Sequence, residues 1–302
     1  MEKIIAPTQA TFVPIRYIND NIIIAHELIH TMKKTRSKKG MLALKLDMSK
    51  AFDRIEWPFV DKMLDSMGLC TDWRMLIHQY DCLLFLQVDD KTITNVLNIL
   101  DNFGKLSGQM INFSKAAAFI AGDVTDERKN QIKIKLGVKE LTTSDKYLGL
   151  PILLGKSKSI SFASLFDAFA NRLQGWNPKT LNQAARTTLL KAVLNTISSH
   201  YMGNFKIPYC VIKKLDSIQR RFWWGNKTNK GINFIAWKSF NKSKSEGGLA
   251  FRDLEQFNNA LITKLAWRLR TEPDQLWVKV LKPKYAPYCD FLLLQEDYNN
   301  SS

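Results

Sequence analysis

The stretch L-A-L-K-L-D-M-S-K-A-F-D-R-I-E-W, residues 42–57, constrains the fold more than any other part of the chain. Leu42, Leu44 and Leu46 alternate with other residues, which predicts a strand with one buried face. Asp47 falls at the end of that strand, where a carboxylate can open onto a cleft. A strand needs partners, and the chain offers few. Residues 82–88, C-L-L-F-L-Q-V, read as a buried strand, and residues 116–120 as a short one. Most of the remainder is periodic at helical spacing, so an α+β fold is expected.

The helical expectations rest on local signals. Asn19 or Asp20 can cap a helix over 19–36 whose apolar face is Ile22, Ile23, Ala25, Leu28, Ile29 and Met32. His26 and His30 stand one turn apart on it, but no third ligand is near, so they read as surface histidines rather than a metal site. The basic run from Lys33 to Lys39 suits the helix C-terminus and a loop ending at Gly40. Pro58 and Gly68 bracket a helix over 58–67. Thr92 can start a helix with Val96, Leu97, Leu100 and Phe103 inward, and Thr125 can cap another that ends at Gly137. Y-L-G-L-P, residues 147–151, reads as a strand or turn. From Ile160 onward, segments near 160–174, 183–200, 208–224 and 253–271 are helical by spacing.

Charge divides the 302 residues unevenly. Residues 1–150 carry 21 Lys/Arg and 18 Asp/Glu, a net of +3, whereas residues 151–302 carry 23 and 10, a net of +13. Such an excess suits a polyanionic partner, most simply nucleic acid. Tryptophans 176, 223, 224, 237, 267 and 277 sit among these cations. They can stack on bases or pack a core. The four cysteines are widely spaced with no C-x-x-C, which argues against a zinc site or disulfide scaffold and suits a reducing compartment. No signal-peptide core or membrane-length apolar run is visible, so an intracellular protein of nucleus or cytoplasm is expected rather than a secreted one.

Several motifs, in order, resemble reverse transcriptases of plant LINE-type non-LTR retrotransposons. K-L-D-M-S-K-A-F-D-R-I-E-W (45–57) resembles their first palm motif, and Q-A-T-F-V-P-I-R-Y-I-N-D-N (9–21) the finger motif before it. S-G-Q-M-I-N-F-S-K (107–115) resembles the motif after the catalytic aspartates, and Y-L-G-L-P the primer grip. G-W-N (175–177), R-F-W-W-G (221–225) and G-G-L-A-F-R-D-L-E-Q-F-N-N-A-L (247–261) resemble the helical region downstream of the polymerase. The resemblance implies palm and fingers over 1–150, missing their middle, and a basic, helical thumb-like and connection region over 151–302. It implies RNA-directed DNA synthesis on an RNA template and DNA primer with two Mg2+ ions, held by carboxylates from neighbouring strands. Asp47 and Asp81 would be metal ligands and catalytic residues. Lys115 would lie near the phosphates, Arg16 would hold the triphosphate, and Phe52 would contact the nucleotide sugar.

The departures point the other way. No R-Q-G-D-P-L-S-P-like segment lies between Trp73 and Tyr80. Where the family has paired aspartates, this chain has Tyr80 followed by Asp81, so the first of the pair is absent. The junction reads as an internal deletion or a mis-joined splice. Q-V-D-D (87–90) imitates the paired box, but K-T-I-T-N-V-L-N-I-L (91–100) directly after it reads as a helix, not a hairpin strand. The expectation is therefore a defective polymerase. The alternative is a non-catalytic remnant that binds RNA or DNA through residues 151–302.

Overall fold

The computed structural model describes residues 17–49, 82–107, 110–155, 157–225 and 234–285. The chain forms two compact units, Met1–Leu153 and Leu154–Ser302. The first is α+β and the second is helical among its described residues.

The first unit is built on a four-stranded sheet of order β3-β1-β5-β6. β1 is Met41–Leu46, β3 Cys82–Gln87, β5 Ala117–Ala121 and β6 Lys139–Glu140. β1 lies between β3 and β5 and is antiparallel to both, with Leu46 opposite Cys82 and Leu44 opposite Ala118. Pairing of the 41–46 and 82–87 strands agrees with the sequence expectation. β5 and β6 are parallel and joined by a helix, the βαβ connection that parallel strands require.

Both faces of β1 are covered, not one. Leu42, Leu44 and Leu46 pack with Ile93 of α2 (Asp90–Ser107) and with Ile132 and Leu136 of α3 (Asp126–Leu136). On the other face Ala43 and Ala121 meet Met32 of α1 (Ile18–Lys34). Ile29 of α1 packs on Ala117, Leu141, Ile152 and Leu153. The small side chain of Ala43 lets α1 approach, so alternation in β1 separates two layers rather than core from solvent.

Local chemistry explains most boundaries and corrects some expectations. Thr125 caps α3, its hydroxyl accepting from the Arg128 N–H at 3.3 Å, and Gly137 ends it at φ 65°. α2 starts at Asp90 rather than Thr92, because Asp89 supplies the cap. Its carboxylate accepts from the Thr92 N–H at 2.7 Å and from the Thr92 hydroxyl at 2.5 Å. Phe103 does not turn fully inward and is 44% exposed. α1 begins at Ile18 after Tyr17, ahead of the expected caps at Asn19 and Asp20. His30 is exposed, but His26 is not a surface histidine. It is half-buried, and burial depresses its pKa to about 4. A hydrogen bond to the Pro151 carbonyl works against that shift, and Lys33 adds to it. Residues 147–151 form a tight hairpin, β7 (Lys146–Tyr147) with β8 (Leu150–Pro151). Leu148 and Gly149 turn it at φ 50° and 82°, a conformation in which glycine carries little strain.

The second unit runs through α4 (Lys158–Ser161), α5 (Ala163–Gln174), α6 (Gln183–Leu189), α7 (Asn195–Met202), α8 (Tyr209–Trp224), α9 (Trp237–Phe240), α10 (Leu254–Thr271) and α11 (Leu276–Tyr285). These include all four helical segments expected from spacing. A π-turn, Leu190–Leu194, joins α6 to α7. Aromatic rings fill much of the core. Trp237 stacks on Phe251 at 5.0 Å between centroids, and Trp223 meets Phe240 at 4.6 Å.

Candidate functional site

Asp47 follows β1 directly and is half-buried. Beyond it, β2 (Met48–Ser49) pairs antiparallel with β4 (Met110–Ile111), setting Met48 opposite Ile111. The backbone carbonyl of Asp47 accepts from the Asn112 N–H at 2.8 Å. Two motifs more than sixty residues apart in the chain thus meet at one corner of the sheet.

Asn112 organises that corner. Its side-chain oxygen accepts from the Ser114 hydroxyl at 2.6 Å and the Lys115 N–H at 3.3 Å. Its carbonyl accepts from the Lys115 and Ala116 N–H groups at 3.0 and 2.9 Å. The result is a tight turn that feeds β5 and leaves Lys115 exposed. Sequence reasoning gave Asn112 no role. The signal was there, an Asn two residues before Ser in a turn, where an Asx side chain can bond the backbone ahead of it.

Asp81, Arg16 and Phe52 lie outside the described residues, as do the helix expected over 58–67 and the junction at Tyr80. Asp47 and Lys115 are therefore the two proposed site residues whose placement is described. Cys82, next along from Asp81, is half-buried, and burial pushes its thiol pKa up, so it stays protonated at neutral pH. Asp89 and Asp90 belong to the start of α2. Asp90 pairs with Arg128 at 2.6 Å and Lys135 at 3.5 Å, and the Arg128 hydrogen bond chiefly lowers its pKa. Q-V-D-D is thus a helix cap and first turn.

A two-ion Mg2+ site needs several converging oxygen ligands. Among the described residues, no three His, Cys, Asp or Glu side chains gather where they could hold a metal. Among the described residues Asp47 supplies one carboxylate, which alone does not make such a site.

The motifs of the second unit do structural work. In R-F-W-W-G, Phe222 and Trp223 are buried, and Gly225 ends α8 at φ 73°. Arg186 of α6 donates to the Trp223 carbonyl at 2.7 Å, while the Trp223 indole N–H donates to Thr187 at 2.9 Å. In G-G-L-A-F-R-D-L, a Cβ on Gly248 would collide with the Lys242 carbonyl, so only glycine fits. Lys191, in the π-turn, donates to the Leu249 carbonyl at 2.5 Å. Asp253 caps α10, accepting from the Glu255 and Gln256 N–H groups at 3.0 Å. Asn258 is fully buried. It accepts from the Ile207 N–H and donates to the Met202 and Phe205 carbonyls, each at 2.8 Å.

Among the described acids of the second unit, Asp216 on α8 is displaced furthest from its ordinary pKa. Burial, aided by Asp253 and Glu255, pushes its pKa up to about 6, against the pull of a Trp237 hydrogen bond and Arg220. The tryptophans divide by exposure. Trp223, Trp237 and Trp277 are buried, whereas Trp176 and Trp267 are 49% and 58% exposed. No helix among the described residues is long and apolar enough to cross a membrane.

Known proteins share parts of this sequence. The chain is 36% identical over 137 residues to an Arabidopsis thaliana protein named "Putative ribonuclease H protein At1g65750", covering 45% of this chain and 22% of that one. It is 38% identical over 93 residues to "Uncharacterized mitochondrial protein AtMg00310" of the same plant, covering 30% of this chain and 60% of that one. The chain thus spans less than two thirds of the length of either relative. No protein-family model matches. Such relatives are typical of transposon-derived sequences. The chain has a retroelement-related origin.

Proposed function

We propose that the chain descends from the reverse transcriptase of a plant LINE-type non-LTR retrotransposon. In this reading it has lost RNA-directed DNA synthesis and retains binding to RNA or DNA through residues 151–302. The register of β1 against β3 carries the reading. It sets Leu46, which precedes Asp47, opposite Cys82, which comes directly after Asp81. Carboxylates converging from neighbouring antiparallel strands are what a polymerase site requires. The β2–β4 pairing that brings Lys115 to the Asp47 corner adds support. The absent first aspartate argues for lost chemistry, because removing a metal ligand from a two-ion site forfeits most of the rate enhancement. The net charge of +13 over residues 151–302 argues for retained binding.

Primer extension on an RNA template with Mg2+ and deoxynucleotides tests the first part. The expected result is no extension above that of an Asp47→Ala variant. Extension by the parent that Asp47→Ala abolishes would overturn it. Fluorescence anisotropy with a labelled oligonucleotide tests the second. Affinity should fall linearly on a log–log salt plot, as counterion release requires. Affinity unchanged by salt would overturn it.

A further inference from the structure

In G-W-N, residues 175–177, the tryptophan is a ring that the core does not take in. Trp176 is 49% exposed. No ring contact or hydrogen bond engages its side chain among the described residues. It stands just past the C-terminus of α5, where its N–H donates to the Leu173 carbonyl at 2.9 Å. The ground beside it is open, since a Cβ on Gly175 would meet nothing within 4 Å. Exposing a tryptophan to water forgoes the favourable burial of a large ring.

The loop that carries the ring is fixed by its own bonds. The Asn177 side-chain oxygen accepts from the Lys179 N–H at 3.0 Å. The Asn177 carbonyl accepts from the Thr180 N–H at 3.2 Å and from the Thr180 hydroxyl at 3.0 Å. Pro178, between them, has a locked φ. Asn182 then caps α6, accepting from the Ala185 N–H at 2.8 Å. A loop already held in place gives up little freedom when a ligand binds.

Cations flank the ring on both sides in the chain. Arg172, in the last turn of α5, comes four residues before Trp176, and Lys179 three residues after it. Both are exposed, and neither side chain enters an ion pair or hydrogen bond among the described residues. Residues 168–215 contain no Asp or Glu. Asp167 stands five residues before Arg172, off the three- and four-residue spacing at which helix side chains pair. The ring thus lies between two uncompensated cations, within the residues 151–302 that carry a net charge of +13.

We infer that Trp176, flanked by Arg172 and Lys179, is a stacking platform for a base of single-stranded nucleic acid. The indole face takes an unpaired base, and the two cations hold phosphates of the same strand. A duplex keeps its bases stacked on one another and offers the ring no face, so single strands are preferred. The inference rests on the nucleic-acid-binding reading above and deepens it by naming the form of the ligand and a contact residue.

The test compares three labelled 20-mers by anisotropy: oligo(dT), an abasic strand of equal length, and a duplex. The parent is expected to bind oligo(dT) more tightly than the abasic strand or the duplex. Trp176→Leu should weaken oligo(dT) binding roughly fivefold to a hundredfold, the range for loss of one stacked base, and leave abasic binding unchanged. Trp176→Phe should recover part of the loss. Arg172→Gln with Lys179→Gln should lower the salt slope by about 1.4, at about 0.7 for each phosphate contact on a single strand. Trp176 is exposed, so its variants should fold, and unchanged far-UV circular dichroism checks this. Should Trp176→Leu lose helix signal, the double Gln variant decides, and a salt slope equal to the parent's overturns the inference.

The outcomes separate the two claims. If the parent binds none of the three, the nucleic-acid reading falls and this inference with it. If the parent binds oligo(dT) no more tightly than the abasic strand or the duplex, the stacking inference alone is overturned. The same holds if Trp176→Leu binds oligo(dT) as the parent does, or loses both single strands equally. Capture of a folded protein through Trp176, with oligo(dT) affinity unaltered by Trp176→Leu, would mark the patch as a protein-docking surface and overturn it too.

Discussion

The two units hold their motifs in different ways. In the first, the motif residues stand at a sheet corner, and the core beneath them is aliphatic. Leu42, Leu44, Leu46, Ile93 and Ile132 are buried there, and backbone pairing of β2 with β4 does the positioning. In the second, residues of R-F-W-W-G and of the 247–261 motif enter the core, and side chains within and beside those motifs clip the main chain. Trp223, Phe251 and Leu254 are buried, and Arg186, Lys191 and Asn258 bond to main-chain carbonyls. A signature in the first unit can therefore mark chemistry, while R-F-W-W-G and the 247–261 motif in the second mark packing.

The largest effects should test that contrast directly. Leu44→Ala removes a fully buried side chain from the sheet core and should cost the first unit about 2–5 kcal/mol. Leu44→Met keeps the volume and should cost less than ~1.5 kcal/mol. Asn258→Ala leaves the Met202 and Phe205 carbonyls and the Ile207 N–H without their partner, a loss of about 3 kcal/mol or more in the second unit. Asn258→Leu, close in volume but apolar, should cost as much as Asn258→Ala. Hydrogen exchange resolved by segment is the measurement. The contrast breaks if Asn258→Leu is tolerated as well as Leu44→Met.

That difference also governs how much could be read from sequence. The α+β division, the β1–β3 pairing and the four long helices of the second unit follow from hydrophobic period, which is local. So do Thr125 and Gly137, a cap and a left-handed stop that need only their own helix. What escaped depended on distant chain. His26 looks like a surface residue on its own helix and is covered because Pro151 returns to it. The second buried face of β1 arises from α1 packing on Ala43, which period-two alternation does not encode. Thr92 and Asp89 are both good caps, and which one wins depends on where the helix begins. Asn258 is one of two adjacent asparagines in F-N-N-A-L, and only the tertiary fold decides that it, and not Asn259, is buried. The position of Asp47 at the end of β1 was legible from strand and turn chemistry, whereas the turn made by Asn112 was not.

Acid should drive the two units in opposite directions, by roughly 2 kcal/mol each. His26 has a folded pKa of about 4 against an unfolded 6.5. Its contribution is present above pH 6.5 and is lost as the pH falls through about 4. Asp216 is raised to about 6 from 3.8. Its contribution is full below pH 3.8 and is lost as the pH rises through about 6. Between pH 7 and pH 4.5 the first unit should weaken relative to a His26→Gln variant. The second should strengthen relative to Asp216→Asn, which still accepts from Trp237. Exchange protection, corrected for intrinsic rates, reads both units in one sample. Movement of both difference curves in the same direction would remove the distinction.

The smallest effects sharpen it most, because they compare like with like. Thr125 and Asp253 both cap helices, one in each unit. Thr125→Ala loses a single hydrogen bond at the edge of α3 and should cost about 1 kcal/mol, with no consequence beyond that helix. Asp253 bonds two N–H groups, and its charge also presses on Asp216. Asp253→Asn keeps a good capping side chain and removes the charge, so stability at pH 5 should hold within a few tenths of a kcal/mol. The Asp216 pKa should move down from about 6 toward its ordinary value, because one of the two acids that raise it is gone. NMR titration of the Asp216 carboxyl carbon reads this without reference to folding. An unchanged Asp216 midpoint in Asp253→Asn would mean that the Asp253 charge does not reach it. The Asp253 cap would then be as local as that of Thr125, and the coupling of caps to buried charge would cease to distinguish the second unit from the first.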